Sequence, residues 1–259
     1  MDAEPSLPVT TDVVVVGGGI IGTSTSYFLS ERTDLDVVLL EKDNIGAGST
    51  GNSSAILRHH YGSNELYTRM AAWSHQFYRD FQDRTGEPLA YESNRLVRFG
   101  NEDTTAGRYA KEGYEILEEE DIPVTLYETG EIDEEFPMLE LDGLDFGVSD
   151  DTAGYSDGTD AAGGFARAAQ SNGATVITGG SVTDLVVENG NVTGVETADG
   201  TVTCDAVVLA AGPWTEPLAN KVGIDVPLHL EREKVVILDP SEEYKTDHPT
   251  LTPTTALPG

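Results

Sequence analysis

The sequence predicts an α/β protein built on a parallel sheet, and three observations predict it. An apolar run at 13–16 passes directly into Gly17-Gly18-Gly19-Ile20-Ile21-Gly22 and a helical stretch that reaches residue 30. A second apolar run, 37–40, ends on Glu41. Far along the chain, an Ala-rich stretch of helical spacing at 160–172 is followed by strand-like residues at 175–177 and again at 205–211. Short apolar strands that alternate with helices pair side by side and parallel.

The first unit carries its own chemistry. Gly17, Gly19 and Gly22 fall in G-x-G-x-x-G spacing between strand and helix. Gly17 permits a tight turn, Gly19 lets backbone approach a pyrophosphate, and Gly22 lets helix and strand pack closely. Ile20 and Ile21 open the helix, and free N–H groups there, with the helix dipole, favour phosphate. Glu41 lies about twenty residues beyond the glycines, where a carboxylate can accept hydrogen bonds from a ribose 2′-OH and repel a 2′-phosphate. The layout is that of a dinucleotide-binding unit. By itself it does not separate NAD from FAD.

The other elements follow in order. Residues 46–54, GAGSTGNSS, form a Gly/Ser-rich loop. Residues 63–84 read as a helix, because Leu66, Tyr67, Met70, Trp73, Phe77, Tyr78 and Phe81 recur at helical spacing. Then come a strand at 96–99, an acidic helix at 104–121, a strand at 124–127, a short helix at 131–139 ended near Pro137, and an extended segment at 147–155. Strands at 182–188, 191–197 and 201–204 are joined by Asn189-Gly190 and Asp199-Gly200. Both dipeptides are hairpin signals, so these strands make a three-stranded meander inserted in the α/β unit. The strand at 205–211 runs into Gly212-Pro213-Trp214, and 226–238 is strand-like before a Pro- and Thr-rich end.

With 259 residues, 38% of them hydrophobic, the chain can bury a sizeable core. No run approaches the ~20 apolar residues of a membrane span. Residues 1–10 lack the basic and apolar regions of a signal peptide, so a cytoplasmic protein is expected. A single cysteine, Cys204, excludes an internal disulfide and a multi-cysteine metal site, and its apolar neighbours make it a buried thiol. No metal site is expected: His59 and His60 are adjacent, so they point to opposite sides of an extended segment, without a further Cys/His cluster. Forty-six acids against fifteen bases give a net charge of −31. Nucleic acid and anionic membranes are therefore poor partners. The acids are spread along the chain rather than gathered in a terminal block, as on a halophilic surface adapted to high internal salt.

Several separated motifs then converge. The glycine turn and Glu41-Lys42 are followed by GAGSTGNSSAILRHHYG, by Gly154-Tyr155-Ser156-Asp157, by GATVITG and, after the meander, by VVLAAGPWTEPLANKVGIDVPL. In this order they resemble the FAD-dependent amino-acid oxidase (DAO) superfamily, and more closely its sarcosine oxidase, glycine oxidase and dimethylglycine dehydrogenase branch. The resemblance covers essentially the whole chain. It implies a Rossmann-like FAD-binding domain with the meander inserted, plus a partial α+β substrate domain. The FAD-binding parts would be 1–88 and 148–225, and the substrate parts 89–147 and 226–259.

The resemblance also implies the cofactor, FAD, and its contacts. Gly17, Gly19 and Gly22 would hold the pyrophosphate and Glu41 the adenosine ribose, with Lys42 beside it. Gly48, Ser49, Thr50 and Asn52 would pass along the diphosphate and ring system, Val182 would meet the adenine, and Ala211, Gly212 and Trp214 would lie near the ribityl chain. On bottom-up grounds residues 49–51 serve as well as a helix-capping loop, and 211–213 as a strand end and turn. Relatives with covalent flavin use a histidine in the Ser-Thr loop or a late cysteine. Here the loop reads Ser49-Thr50-Gly51-Asn52 and Cys204 lies elsewhere, so non-covalent FAD is expected.

Arg58-His59-His60-Tyr61-Gly62 is similar to the R-H-x-Y-G stretch of sarcosine oxidases, whose arginine binds the substrate carboxylate. Arg58, His59 and Tyr61 are thus the expected substrate contacts, and a guanidinium grips a carboxylate bidentately. In so acidic a chain a surface ion pair explains Arg58 equally well, and a packed structural role explains His59. The reaction implied is oxidation of the C–N bond of a small amino acid or N-methyl amino acid of the sarcosine, glycine or D-amino acid kind. Oxygen or an electron-transfer partner would reoxidise the flavin, and no catalytic residue is assigned. Two other readings stand beside it: a non-catalytic FAD-binding fragment or subunit of a split flavoenzyme, and an FAD-dependent 2-hydroxy acid or glycerol-phosphate dehydrogenase. Relatives continue beyond a segment like 226–238 and return to close over the flavin. The resemblance therefore implies a C-terminally incomplete chain: a truncated piece, a gene fragment, or one half of a split enzyme whose partner is a complementary C-terminal subunit.

Overall fold

The computed structural model describes residues 7–137, 139–231 and 249–253. Along the chain come β1 (Thr10–Val16), α1 (Ile20–Arg32), β2 (Val37–Glu41), β3 (Ile56–Leu57), α2 (Glu65–Arg79) and α3 (Phe81–Thr85). Next are β4 (Glu92–Ser93), β5 (Leu96–Gly100), α4 (Thr105–Glu119), β6 (Val124–Glu128), α5 (Glu131–Glu135), β7 (Phe146–Asp150) and β8 (Gly154–Tyr155). Then follow α6 (Gly158–Ser171), β9 (Thr175–Thr178), β10 (Val182–Glu188), β11 (Asn191–Thr197), β12 (Gly200–Leu209), α7 (Thr215–Asn220) and β13 (Thr250–Pro253).

The chain divides into two compact units: Met1–Ala55, Phe81–Leu89 and Asp157–Val235 form the first, and Ile56–Asp80, Ala90–Ser156 and Val236–Gly259 the second. The single helix expected over 63–84 is two helices, broken at Asp80. The break also divides the chain: α2 belongs to the second unit and α3 to the first, whereas the sequence reading carried the first part unbroken to residue 88.

In the first unit a six-stranded sheet has the order β10-β11-β12-β1-β2-β9. The core of the sheet is parallel, with β1 between β12 and β2, and β9 beside β2. Val14 and Val16 alternate with Val13 and Val15, so β1 buries both faces. On one face Val14, Val16, Val38 and Leu40 join Leu185, Val195, Val202 and Cys204 of the meander and Leu218 of α7 in one cluster. In α1, Gly22, Thr23, Ser26 and Tyr27 are buried, and α1 packs on the Ala-rich α6. Phe81 of α3 meets Phe165 of α6 edge-on, ring centres 4.8 Å apart. Gly164 leaves room for it, since a Cβ there would lie 2.7 Å from Phe81 Cε1.

The meander forms with two corrections. The expected strands at 201–204 and 205–211 are one strand, β12, with Thr203 paired to Gly194 on one side and Thr10 on the other. No Gly or Pro interrupts 202–209, so nothing ends the strand. Asn189 and Gly190 turn with φ of 51° and 82°, as a type I′ turn requires. The other turn sits one residue earlier than expected, because Thr197 pairs with Gly200. The Thr197 hydroxyl stabilises it, accepting from Asp199 N–H (3.2 Å) and donating to Gly200 O (2.9 Å).

In the second unit β5, β7 and β6 are antiparallel neighbours and β13 lies parallel beside β5. Ala110 of α4 packs on Phe146 and Val148, while Val97 and Phe99 point the other way to Ile132 and Phe136. The short strands β3, β8 and β4 make a separate ribbon. The strand expected at 226–238 is not formed over 226–231, and the rest of it lies outside the described residues. Pro227 has no N–H to give a ladder, and Leu228 N–H turns back to Val226 O at 2.7 Å.

With 46 acids on a chain of charge −31, self-repulsion is the main salt-sensitive term. Lowering salt from molar to about 0.1 M lengthens screening from ~3 to ~10 Å. The melting temperature should fall over that range. An unchanged or higher value in dilute buffer would contradict the halophilic reading.

Candidate functional site

The first unit gathers its loops at the carboxyl ends of β1, β2 and β12, the edge where open α/β sheets bind ligands. Gly17 N–H donates to Leu40 O (2.9 Å), Ala210 N–H to Val16 O (2.8 Å) and Gly46 N–H to Gly18 O (2.9 Å). Gly17 has φ of 111°, and a Cβ there would lie 2.5 Å from Ala210 O. A Cβ on Gly22 would lie 1.9 Å from Gly17 O, so α1 rests directly on the turn. Gly18, which the spacing left unassigned, is equally confined: its Cβ would meet Ile45 Cδ1 at 2.7 Å.

Glu41 braces this turn. Its Oε2 accepts from Gly18 N–H at 2.6 Å and its Oε1 from Asp43 N–H at 2.8 Å. A carboxylate has about four lone-pair sites, so a ribose hydroxyl can be added without displacing either bond. At the start of α1, Gly19 gives no side-chain cap; instead Ile20 N–H donates to Thr50 Oγ1 at 2.9 Å. Thr50 thus ties the Ser-Thr loop to the helix start, while Ile21 is exposed. Asn52 Nδ2 holds Gly48 O at 2.9 Å. Ser49 is exposed, and nothing lies within 4 Å of where a Gly48 Cβ would stand. Gly158 at the start of α6 is a further close approach, its Cβ position 2.6 Å from Thr50 O. The Lys42 ammonium sits 3.4 Å from the centre of the Trp214 ring. Ala211 and Val182 pack on the cluster that holds Val16 and Leu40, and Gly212, with φ of 53°, opens a short turn to Trp214.

Arg58, His59 and Tyr61 lie in the second unit. An open cleft of about 370 Å³ there has Arg58, Tyr61, Tyr67, Met70, Ser74 and His75 in its lining. The half-buried Arg58 guanidinium lies 4.9 Å from the Tyr61 ring centre, and its buried Nε has no hydrogen-bond partner among the described residues. Arg98, buried on β5, is in the same state, with its guanidinium 5.5 Å from the Tyr109 ring. Burial, then the charge of Arg58, lowers the Arg98 pKa.

His59 does not line the cleft. It is buried, its backbone N–H on Asp150 Oδ2 (2.6 Å) and its Nδ1 on Asp150 Oδ1 (3.0 Å). Its Nε2 is 2.7 Å from His75 Nδ1, and His75 Nε2 is 2.7 Å from the Tyr91 hydroxyl. Burial pushes the Asp150 carboxyl up, but the hydrogen bonds from the His59 ring and backbone N–H outweigh it and leave it below its ordinary value. Burial and the neighbouring His59 bring His75 down to about 4. His60 is a packing residue: its Nε2 meets Ala110 O at 3.0 Å, and a Cβ on Gly113 would strike the ring at 2.2 Å. Asp150, His75, Tyr91 and Arg98 escaped sequence reasoning. The usable signal was a charged residue inside an apolar strand, Arg98 in LVRFG and Asp150 in FGVSD.

A family model described as FAD dependent oxidoreductase matches residues 12–258. The chain belongs to this family. It is 31% identical to the mitochondrial pyruvate dehydrogenase phosphatase regulatory subunit of Mus musculus, over 86% of this chain and 26% of the relative. It is 30% identical to sarcosine oxidase subunit beta of Rhizobium meliloti, over 84% of this chain and 53% of the relative. Among solved structures, L-proline dehydrogenase from P. horikoshii superposes with a TM-score of 0.76 at 26% identity, covering 84% of this chain and 57% of that one. The chain thus spans about half or less of the length of these curated relatives.

FAD is the cofactor of this family, and the first unit fits it. The cradle around Gly17, Gly18 and Gly22 is one that any Cβ would fill, and it presents a helix N-terminus lacking a side-chain cap from Gly19. Cys204 is buried, and burial pushes its thiol pKa up. Among the described residues, no helix is long and apolar enough to cross a membrane.

Proposed function

We propose that this chain forms the FAD-binding part, and a portion of the substrate-binding part, of a flavoenzyme that oxidises the C–N bond of a small amino acid or N-methyl amino acid. The observation that carries the reading is Arg58, a half-buried guanidinium with an unpartnered Nε on the wall of a mainly apolar cleft. A planar fork in that setting suits a carboxylate, and the walls suit a short alkyl chain. The relatives named for sarcosine and L-proline support the same substrate class.

Bound FAD supplies the two-electron acceptor for the hydride equivalent leaving the carbon beside nitrogen. The chain's own residues bind and orient. Gly17, Gly19 and Gly22, with the helix start at Ile20 and Ile21, face the pyrophosphate, to which Ile21 offers its N–H while Thr50 Oγ1 holds that of Ile20, and Glu41 takes the ribose. Lys42 and Trp214 flank that end, Val182 meets the adenine, and Gly48, Ser49, Thr50, Asn52, Ala211 and Gly212 run along the rest of the flavin. Binding is non-covalent. Tyr61 stacks beside Arg58 in the carboxylate pocket, with His59 behind it. Oxygen or an electron carrier takes the electrons, and a complementary C-terminal subunit or segment completes the substrate wall. The cytoplasm is the expected compartment.

Titration of flavin fluorescence in molar salt tests the cofactor assignment, and tighter binding of NAD than of FAD would sink it. Glu41→Ala should weaken FAD by about 1–3 kcal/mol, because half-buried acceptors of ribose and of Gly18 N–H are lost together. In enzyme completed by its C-terminal part, Arg58→Ala should raise KM at least tenfold and change kcat little, since a carboxylate grip acts in ground and transition states alike. Arg58→Lys should recover only part, for want of the fork. An unchanged KM across an amino-acid panel would remove Arg58 from the pocket.

A second reading has its own support. The mitochondrial relative named a regulatory subunit is 31% identical, so a non-catalytic FAD-binding subunit fits the same cradle. In that case FAD binds as above, and no small amino acid bleaches the flavin in the completed protein.

A further inference from the structure

Resting on the carboxylate-binding reading of the Arg58 cleft, we propose that Tyr91, His75 and His59 relay the proton of a bound substrate's ammonium group towards Asp150. The links are contiguous: Tyr91 Oη to His75 Nε2 at 2.7 Å, His75 Nδ1 to His59 Nε2 at 2.7 Å, and His59 Nδ1 to Asp150 Oδ1 at 3.0 Å. Asp150 is fully buried, His59 and His75 are nearly so, and Tyr91 is half-buried. His75 is also part of the cleft wall. The Tyr91 hydroxyl stands one hydrogen bond, 2.7 Å, from that wall residue, and is the outer end of the network.

The hydrogen positions follow from the inner end. An ionised Asp150 is acceptor-only, so His59 Nδ1–H donates to it. Neutral His59 then accepts at Nε2 from His75 Nδ1–H, and His75 accepts at Nε2 from the Tyr91 O–H. Every donor points inward, and the Tyr91 oxygen, which takes the Arg79 Nε–H at 3.5 Å, keeps a second lone pair for an incoming donor. When the ammonium N–H bond breaks, its proton joins that oxygen. The original Tyr91 proton moves to His75 Nε2, and the His75 Nδ1 proton moves to His59 Nε2. His59 ends as an imidazolium against the Asp150 carboxylate, and the amine keeps the electron pair of the broken bond. That lone pair is what a carbon losing hydride needs, because it forms the iminium.

The network holds one proton and no more. The His59 and His75 rings are stacked with centres 4.3 Å apart, so both cannot be charged. The other groups facing it support this. Arg79 Nε of α2 lies 3.5 Å from the Tyr91 oxygen, and Arg98 of β5 feels both the positive charge of Arg58 in the cleft and the negative charge of Asp150. Tyr61 and Tyr109 stack under those two arginines, and His60 holds Ala110 O. Of these, only Asp150 offers a negative charge to balance an imidazolium.

The test uses the chain completed by its C-terminal part and loaded with FAD, its histidines labelled with ¹⁵N, read by NMR at about pH 7 in molar salt. Two carboxylates are added separately: 2-aminoisobutyrate, which has an ammonium but no α-hydrogen to lose, and trimethylglycine, which has no N–H. The expected result is that both bind, and that only 2-aminoisobutyrate moves His59 Nε2 from the unprotonated to the protonated position. Tyr91→Phe should bind both ligands and abolish the move. Binding of both with His59 unchanged, or shifted equally by both, overturns the relay and leaves the carboxylate cleft standing. Persistence of the move in Tyr91→Phe also overturns the relay. Binding of neither ligand overturns the cleft reading, and the relay with it.

Discussion

Gly22→Ala is expected to cost about 3 kcal/mol of stability and to abolish FAD binding. A Cβ at this position would stand 1.9 Å from the Gly17 carbonyl oxygen, where no methyl group can sit. Neither partner can yield cheaply. Gly17 is fixed by its N–H bond to Leu40 O at 2.9 Å and lies against Ala210, and Gly22 is held in α1 beside the buried Thr23 and Ser26. Relief therefore requires α1 to lift off the turn. Overpacking of a tight site costs ~1–3 kcal/mol, and more when backbone must move. The displaced helix start would also take the Ile21 N–H away from the pyrophosphate and pull Ile20 N–H off Thr50 Oγ1. Thermal unfolding of the apo-protein should drop by roughly 10 °C, and flavin fluorescence should show no saturable binding. Wild-type affinity in Gly22→Ala would mean that the cradle is not the FAD site.

Asp150→Ala is expected to destabilise the second unit by about 3–5 kcal/mol, the range for removing one partner of a buried charged network. The carboxylate is fully buried and takes both the backbone N–H and the ring Nδ1 of His59. Without it that N–H, the imidazole and the buried Arg98 lose their anionic neighbour together. Asp150→Asn should cost less, since an amide oxygen still accepts from His59 N–H. The pH profile separates the contributions. The Asp150 carboxyl is held below its ordinary value, so its share of stability is complete above the unfolded carboxyl range and is lost as pH falls through the folded value. His60 and His75 are held at about 4 in the fold against about 6.5 unfolded. Between those values the unfolded chain binds more protons, so stability should decline as pH drops from about 6.5 towards 4. Asp150→Ala should start lower and lack the steepest part of the loss below about pH 4. A variant as stable as the wild type at neutral pH would show that the network contributes little to the fold.

Much of the first unit was legible in the chain because its determinants are local. A run of valines needs burial on both faces, a glycine turn must precede a helix that touches it, and Asn189-Gly190 closes a hairpin with φ values that few other residues adopt. Each of these is decided within a few residues, so spacing alone carries it. The sequence determined the parallel core with its meander, the glycine cradle and Glu41, and the family resemblance that the comparison with known proteins bore out. It also pointed to Arg58 and Tyr61, which share one cleft.

Only the tertiary structure decided the rest, for want of a local signal. Whether 201–211 is one strand or two depends on partners at both sides, Thr10 and Gly194, that lie far away in the chain. The break at Asp80 follows from Phe77 and Phe81 being buried in different units, which helical periodicity does not register. Glu41 showed its spacing to a ribose but not its bond to Gly18 N–H. The R-H-x-Y-G motif points His59 to a substrate, whereas in the fold its ring is bonded to Asp150, 91 residues away in sequence. A hydrogen bond needs two groups within about 3 Å, and no pattern along one strand or helix can say which distant residue supplies the second.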